Sequence, residues 1–113
     1  MPDDVEQPSS ADSLRVEAGY VGSEVTITLE GEFDLGGTEL FWAYVSEALD
    51  SQPRSVVVDA TGLTFIDSAG LMAVWRARDV AHAAGVAFRV DNATPPVRRV
   101  VELLGLEDLL TGE

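Results

Sequence analysis

The chain has 113 residues, a length that supports one compact domain with a single core. Hydrophobic residues make up 46% of it, well above the range of disordered chains. Its 20 acidic residues outnumber seven basic ones, all arginine, and the resulting charge of −13 argues against direct binding to DNA or RNA. The absence of cysteine excludes a disulfide scaffold, an iron–sulfur cluster and a thiolate zinc site.

The N-terminal segment differs in composition from the rest of the chain. Residues 1–12 contain four acids, no base and few apolar side chains, so we predict a flexible acidic tail followed by one domain over residues 13–113. No apolar run approaches the roughly 18 residues that span a bilayer. The N-terminus also lacks the basic and apolar regions of a secretory signal. We therefore expect a soluble, cytoplasmic protein.

The first half of the domain changes from a period of two to a helical period. Apolar and polar residues alternate over 14–18 and again over 25–30, and the Gly-containing turn 19–23 between them predicts a β-hairpin with one buried face. Apolar residues then follow helical spacing over 38–50, which predicts an amphipathic helix that ends at Gln52-Pro53.

The second half of the domain predicts a strand–helix–strand–helix order. The β-branched run 55–58 is typical of a central parallel strand that is buried on both faces. A helix over 68–84 ends at Gly85, and a strand over 86–90 follows. The last helix begins at Thr94-Pro95-Pro96 and ends at Gly105, with a predicted buried stripe of Val97, Val100, Val101 and Leu104 and a short apolar tail at Leu109-Leu110. The order β-β-α-β-α-β-α predicts an α/β fold, a mixed sheet with an N-terminal hairpin and helices packed against it.

The common enzyme signatures are missing. The sequence has neither a P-loop nor a Gly-x-Gly-x-x-Gly run, and the single histidine, His82, rules out a multi-histidine metal site. His82 and Ser68 lie 14 residues apart on one predicted helix, which separates them by roughly 21 Å, whereas proton transfer needs about 3 Å. We therefore predict a surface position for His82, no catalytic residue, no metal and no cofactor.

The segment 59–71 contains the strongest candidate site. We expect Leu63, Phe65 and Ile66 to form a short apolar loop fixed to the core, after which Asp67 and Ser68 open a helix. Free N–H groups and the helix dipole at that position favour negative charge. A phosphate on Ser68 would add about −1.5 to −2 charges beside Asp67 and so act as a switch. The alternative is that the Asp-Ser pair only caps the helix, which is the commoner use of these residue types.

A second feature of the same helix is its outer face. On a helical wheel the inner face consists of mostly small residues, namely Ala73, Val74, Ala77, Val80, Ala81 and Ala84. Ser68, Met72 and Trp75 fall on the opposite side, where exposed Met and Trp would form a partner-binding patch. The alternative, that Trp75 belongs to the boundary of the core, stays open.

Five segments resemble the STAS domain of bacterial anti-sigma factor antagonists, in order and spacing, over residues 13–110. They are the segments 31–34, 56–59, 65–71, 95–100 and 103–106. The resemblance implies the STAS fold. It also implies a partner, an anti-sigma factor that is itself a serine kinase of the histidine-kinase-like ATPase type. In that family the unphosphorylated antagonist binds this kinase and frees a sigma factor.

The resemblance assigns roles to individual residues. It implies that Ser68 is the phosphorylation site, that its phosphorylation ends binding, and that a phosphatase restores it. Asp34 is expected near that site and, with Asp67, Ser68, Met72 and Trp75, to contact the partner. Because the ATP belongs to the kinase, the antagonist is a protein substrate and not an enzyme, and we expect it to be a monomer or a weak dimer.

One departure from the family pattern leaves an alternative open. Many relatives have a second Ser or Thr where this chain has Ala69. STAS domains also serve as accessory subunits of lipid-transport ABC systems, in which the equivalent helix docks on an ATPase without a phospho-switch. Ala69 and the aromatic pair Phe41-Trp42 are compatible with that role. The STAS domains of anion transporters are attached to membrane spans, of which this sequence has none.

Overall fold

The structure is a computed structural model that describes residues 9–11 and 13–113. In this part of the chain, five strands form one sheet in the order β1-β2-β3-β4-β5: β1 (Ser9–Ala11), β2 (Leu14–Val21), β3 (Glu24–Phe33), β4 (Ser55–Ile66) and β5 (Ala87–Asp91). The helices are α1 (Thr38–Asp50), α2 (Ser68–Ala83), α3 (Pro95–Leu103) and α4 (Asp108–Thr111). The first two strand pairings are antiparallel and the other two are parallel, so the predicted mixed α/β fold is confirmed.

The N-terminal edge of the sheet begins earlier than predicted. Residues 9–11 form β1, in register with Leu14 to Val16 of β2, so the prediction of a flexible tail is wrong for these three residues. The backbone supplies the reason, because strand pairing satisfies N–H and C=O groups whatever the polarity of the side chains. The rest of the predicted tail, residues 1–8 and 12, lies outside the described residues.

The strand predicted over 55–58 extends to Ile66. Two register shifts against β3 each insert one extra residue into β4, so the buried side chains of its second half are Ala60, Leu63 and Ile66, one in every three residues. The prediction of an apolar loop is therefore wrong, because these residues continue β4. The bulges interrupt the period of two by which a strand is identified in a sequence. Leu63 and Ile66 are buried as expected, but Phe65 points outward and is 47% exposed.

One hydrophobic core joins the sheet to the helices. Side chains of β3 and β4 meet those of α2, α3 and α4 around Leu29, Val58 and Ala60. On the α1 side, the rings of Phe33 and Phe41 pack with their centroids 5.2 Å apart. The predicted burial of the run 55–58 is confirmed for its three valines. Among the described residues, no helix is long and apolar enough to cross a bilayer.

The helix boundaries agree closely with the predicted ones. Helix α1 has the predicted bounds, and α2 ends at Ala83, two residues before Gly85, whose φ is +76°. Thr94 precedes α3 as predicted, but its hydroxyl donates to the Leu63 carbonyl at 2.7 Å instead of capping the helix. Three predicted inward positions are exposed, namely Val80, Ala84 and Leu104, while Val100 is half-buried. The apolar tail at 109–110 belongs to α4, in which Leu109 is buried.

Candidate functional site

The carboxyl ends of β3 and β4 lie side by side at one edge of the sheet. Phe33 and Ile66 are paired in the parallel register, and the residues that follow them are Asp34 and Asp67. The Asp67 amide donates to the Phe33 carbonyl at 3.2 Å, which fixes the ends of the two strands relative to each other. The fold thus brings together two of the predicted site residues, 33 positions apart in sequence, immediately before Ser68.

Asp67, and not Ser68, caps helix α2. The Asp67 backbone is extended, and its Oδ1 accepts a hydrogen bond from the Gly70 amide at 2.9 Å. Ser68 is the first residue of the helix and is exposed. Within the described residues its hydroxyl has no hydrogen-bond partner. The capping alternative therefore explains Asp67 and leaves the Ser68 hydroxyl free to react.

Gly70 lets the first turn of α2 approach β3. A Cβ atom at this position would lie 3.0 Å from Cγ of Phe33 and 3.1 Å from Cγ1 of Ile66, and it would overlap the Phe33 carbonyl oxygen. Both neighbouring side chains are buried and cannot move aside cheaply. The absence of a side chain at Gly70 is thus what places Ser68 close to the end of β3.

Asp34 organises the connection from β3 to α1. Its Oδ1 accepts from the Gly36 amide at 3.0 Å and so caps a 3₁₀ turn over Leu35–Gly37. The Thr38 hydroxyl donates to the Leu35 carbonyl at 3.0 Å, which continues this turn into α1. The turn directs Leu35 outward, where it is 71% exposed.

An apolar groove lies between α1 and α2, beside Ser68. We call it the α1–α2 groove; it has a volume of about 250 Å³ and is lined by Leu35, Thr38, Trp42, Ala69, Met72, Ala73 and Arg76. Met72 is exposed, as predicted. Sequence reasoning missed Leu35 and the outward-facing Phe65. Leu35 lies in a turn without periodicity, and only the adjacent Gly36-Gly37 pair, typical of a break between elements, could have indicated it.

Trp75 lies three residues beyond Met72 on α2 and is half-buried against the core. The Arg78 guanidinium lies over its ring, 4.5 Å from the ring centroid. The Arg78 Nε donates to the Glu113 carbonyl at 2.8 Å, and another guanidinium nitrogen lies 3.9 Å from the Asp108 carboxylate. Arg78 thus contacts both Trp75 and the C-terminal segment, whereas Met72 lines the α1–α2 groove.

The described part of the chain contains no cluster of three or more His, Cys, Asp or Glu side chains that could hold a metal ion.

A separate polar cluster surrounds Asp59, whose Oδ1 accepts from the Thr61 hydroxyl at 2.6 Å, the Thr61 amide at 3.0 Å and Nδ2 of Asn92 at 3.2 Å. Partial desolvation raises the pKa of Asp59, but these hydrogen bonds outweigh it and the net pKa is lowered. His82 is exposed near the end of α2, as predicted.

Comparison with known proteins gives two direct sequence matches. The family model described as "Mlab, STAS domain" matches residues 17–111. A STAS-domain containing protein of Pseudomonas aeruginosa (strain UCBPP-PA14) is 34% identical over 89 residues, which covers 78% of this chain and 86% of that protein.

Solved structures agree with the sequence matches. The anti-sigma factor antagonist SpoIIAA in its unphosphorylated form is 28% identical, with a TM-score of 0.68 and 84% of each chain covered. The phosphorylated form of Bacillus SpoIIAA is 26% identical, with a TM-score of 0.62 and coverage of 84% of this chain and 87% of that one. An anti-sigma factor antagonist from Mycobacterium paratuberculosis, 19% identical, has the same fold, with a TM-score of 0.73 and coverage of 90% and 86%. The chain therefore belongs to the STAS-domain family and has the fold of its anti-sigma factor antagonists.

Proposed function

We propose that this protein is an anti-sigma factor antagonist that binds an anti-sigma factor with serine kinase activity and thereby releases a sigma factor. Phosphorylation of Ser68 by that kinase ends binding, and a phosphatase restores it. The protein acts in the cytoplasm as a monomer or weak dimer, and the kinase supplies both the ATP and the catalytic groups. The similarity to SpoIIAA, which is known in an unphosphorylated and a phosphorylated form, supports this proposal.

The observation that carries the proposal is the free, exposed hydroxyl of Ser68 on an otherwise fixed helix end. Asp67 caps the helix, so phosphorylation of Ser68 breaks no hydrogen bond within the described residues. A helix N-terminus stabilises negative charge, and the fold therefore tolerates the phosphate. The switch acts on the surface around Ser68 and not through unfolding.

The surroundings of Ser68 suit a switchable contact. The exposed side chains of Leu35, Phe65 and Met72 offer apolar area to a partner, while Asp34 and Asp67 lie at the same edge. A phosphate would add about −1.5 to −2 charges at the border of that apolar area. A partner that has to exclude water there would meet a charge that is costly to bury.

The first experiment measures phosphotransfer. Purified protein is incubated with ATP and its cognate anti-sigma factor kinase, and intact mass spectrometry follows the product. We expect one added phosphate on the wild type and none on Ser68→Ala. Ser10→Ala is the matched control, because Ser10 is also exposed, and it should be phosphorylated like the wild type. Phosphate on any other residue, with Ser68 unmodified, would contradict the proposal.

A second experiment tests the apolar surface with matched variants. Leu35 and Leu103 are exposed to similar extents, 71% and 77%, but Leu103 lies at the far end of α3. We expect Leu35→Ser to weaken binding to the kinase about tenfold, because full burial of a Leu side chain is worth about 1.5–3 kcal/mol and tenfold corresponds to about 1.4 kcal/mol. Leu103→Ser should leave the affinity unchanged. Equal effects of the two substitutions on the affinity would show that Leu35 does not lie in the interface.

In the alternative role, accessory subunit of a lipid-transport ABC system, α2 would dock on an ATPase. Ala69 lines the α1–α2 groove, whereas the Ser68 hydroxyl is not part of its lining. An accessory subunit would therefore bind its ATPase equally well with Ser68→Asp, while the antagonist would lose its partner. Binding of Ser68→Asp thus separates the two roles.

A further inference from the structure

We infer that the α1–α2 groove selects an amphipathic helix of the kinase that presents one apolar side chain and, about one turn away, a carboxylate that pairs with Arg76. This inference rests on the proposed function and adds the chemistry of the partner segment. It assigns to Arg76 a role in specificity that is separate from the phosphorylation of Ser68.

Three functional side chains follow one another at four-residue spacing on α2. They are Ser68, Met72 and Arg76, and each successive pair is separated by about 6 Å along the helix axis. Side chains at this spacing lie one above the other on the same face. A partner segment that contacts Met72 and Arg76 therefore passes along α2 toward Ser68.

The size of the groove favours side chains of a protein partner. Its volume of about 250 Å³ is below the roughly 300–1,000 Å³ of sites that enclose small-molecule ligands. Leu35, Trp42 and Met72 provide apolar walls, and the small side chains of Ala69 and Ala73 leave space between the two helices. A groove between two helices that accepts one large apolar side chain fits the helix-in-groove mode of recognition.

The charge of the groove indicates that the partner helix presents a carboxylate beside its apolar side chain. Among the described residues that line it, Arg76 is the one charged side chain, although the chain as a whole has a net charge of −13. Arg15, Arg78 and Arg89 form ion pairs within the described residues. The other four arginines, Arg54, Arg76, Arg98 and Arg99, are exposed and have no ion pair there, and of these Arg76 lines the groove. An unpaired guanidinium beside an apolar groove is complementary to a carboxylate, which it can bind through two parallel hydrogen bonds.

The test compares two charge reversals in binding to the purified kinase that phosphorylates Ser68. Arg76→Glu changes the groove. Arg54→Glu makes the same change in net charge at an exposed position just before the amino end of β4, whereas Ser68 follows the carboxyl end of that strand. Both variants should unfold with the midpoint of the wild type, because neither arginine has an ion pair in the described structure. We expect Arg76→Glu to weaken binding by at least about tenfold and Arg54→Glu by less than about twofold.

Reversal of the partner charge completes the test. One Asp→Arg or Glu→Arg substitution on the surface of the kinase should restore its affinity for Arg76→Glu and weaken binding to the wild type. If the two arginine variants bind equally well, or if no kinase substitution restores binding, the inference is wrong while the proposed function stands. If the kinase neither binds nor phosphorylates the wild type, the proposed function fails and the inference fails with it.

Discussion

Gly70→Ala should destabilise the protein, although the same substitution in most helices is favourable by up to about 1 kcal/mol. Gly70 is the third residue of α2, and an added Cβ would lie 3.0 Å from Cγ of Phe33, 3.1 Å from Cγ1 of Ile66 and closer still to the Phe33 carbonyl oxygen. Contacts of this kind force a shift of backbone or buried side chains, which costs about 1–3 kcal/mol. We expect the cost to exceed the gain in helix propensity, so that the free energy of unfolding falls by about 1–2 kcal/mol.

Urea denaturation monitored by circular dichroism measures this change. The midpoints are compared only if the dependence of the free energy of unfolding on urea concentration has the same slope in both proteins. Gly19→Ala is the matched control, because a Cβ atom at Gly19 meets nothing within 4 Å and its φ is not positive. It should be neutral or stabilising by up to about 1 kcal/mol. A Gly70→Ala variant as stable as the wild type would refute the close approach of α2 to β3.

Three further predictions concern the cap of α2, the contacts of Arg78 and the polar cluster around Asp59. Asp67→Ala removes the cap of α2 and should lower the free energy of unfolding by about 1 kcal/mol in the same urea assay; no change would show that the Gly70 amide finds another acceptor. Arg78→Ala removes the contacts to Trp75 and Glu113 and should lower the midpoint of thermal unfolding by several degrees. An unchanged midpoint would contradict this prediction. The lowered pKa of Asp59 means that its ionised form stabilises the fold above about pH 4 and that this contribution is lost as the pH falls further. Asp59→Asn should therefore make stability fall less steeply below pH 4 in acid titrations, and an identical slope would contradict the assignment.

Local patterns determine much of the fold and could be predicted from the sequence. The helical spacing over 38–50 gave the bounds of α1, because one stripe of apolar side chains faces the core. The N-terminal hairpin and the beginning of α2 at Ser68 follow from equally local signals, namely alternation around a turn and a capping aspartate.

Features that depend on pairing between distant segments could not be predicted in this way. The bulges of β4 arise from its register with β3, and they replace the alternation over 59–66 by a period of three. Strand β1 depends on the open edge of β2 and not on its own composition. The wheel of α2 likewise left open whether Trp75 is exposed or belongs to the boundary of the core, and packing against the core and Arg78 makes it half-buried.

The candidate site combines both kinds of information. The sequence identified Ser68 from its own neighbours, whereas Asp34 was assigned to the site only by family resemblance. The parallel register of Phe33 with Ile66 supplies the physical reason for its proximity, because it aligns the residues that follow both strands. Leu35 and Arg76 acquire a common role only when α1 and α2 lie side by side.

The most direct test of the account compares the affinity of the purified kinase for the protein in its two states, with and without a phosphate on Ser68, by isothermal titration calorimetry. Both states should unfold cooperatively, since the helix end tolerates negative charge. We predict that the unphosphorylated protein binds and that the phosphorylated protein binds at least about tenfold more weakly, a difference of at least about 1.4 kcal/mol. Equal affinities of the two states would contradict the claim that Ser68 controls partner binding.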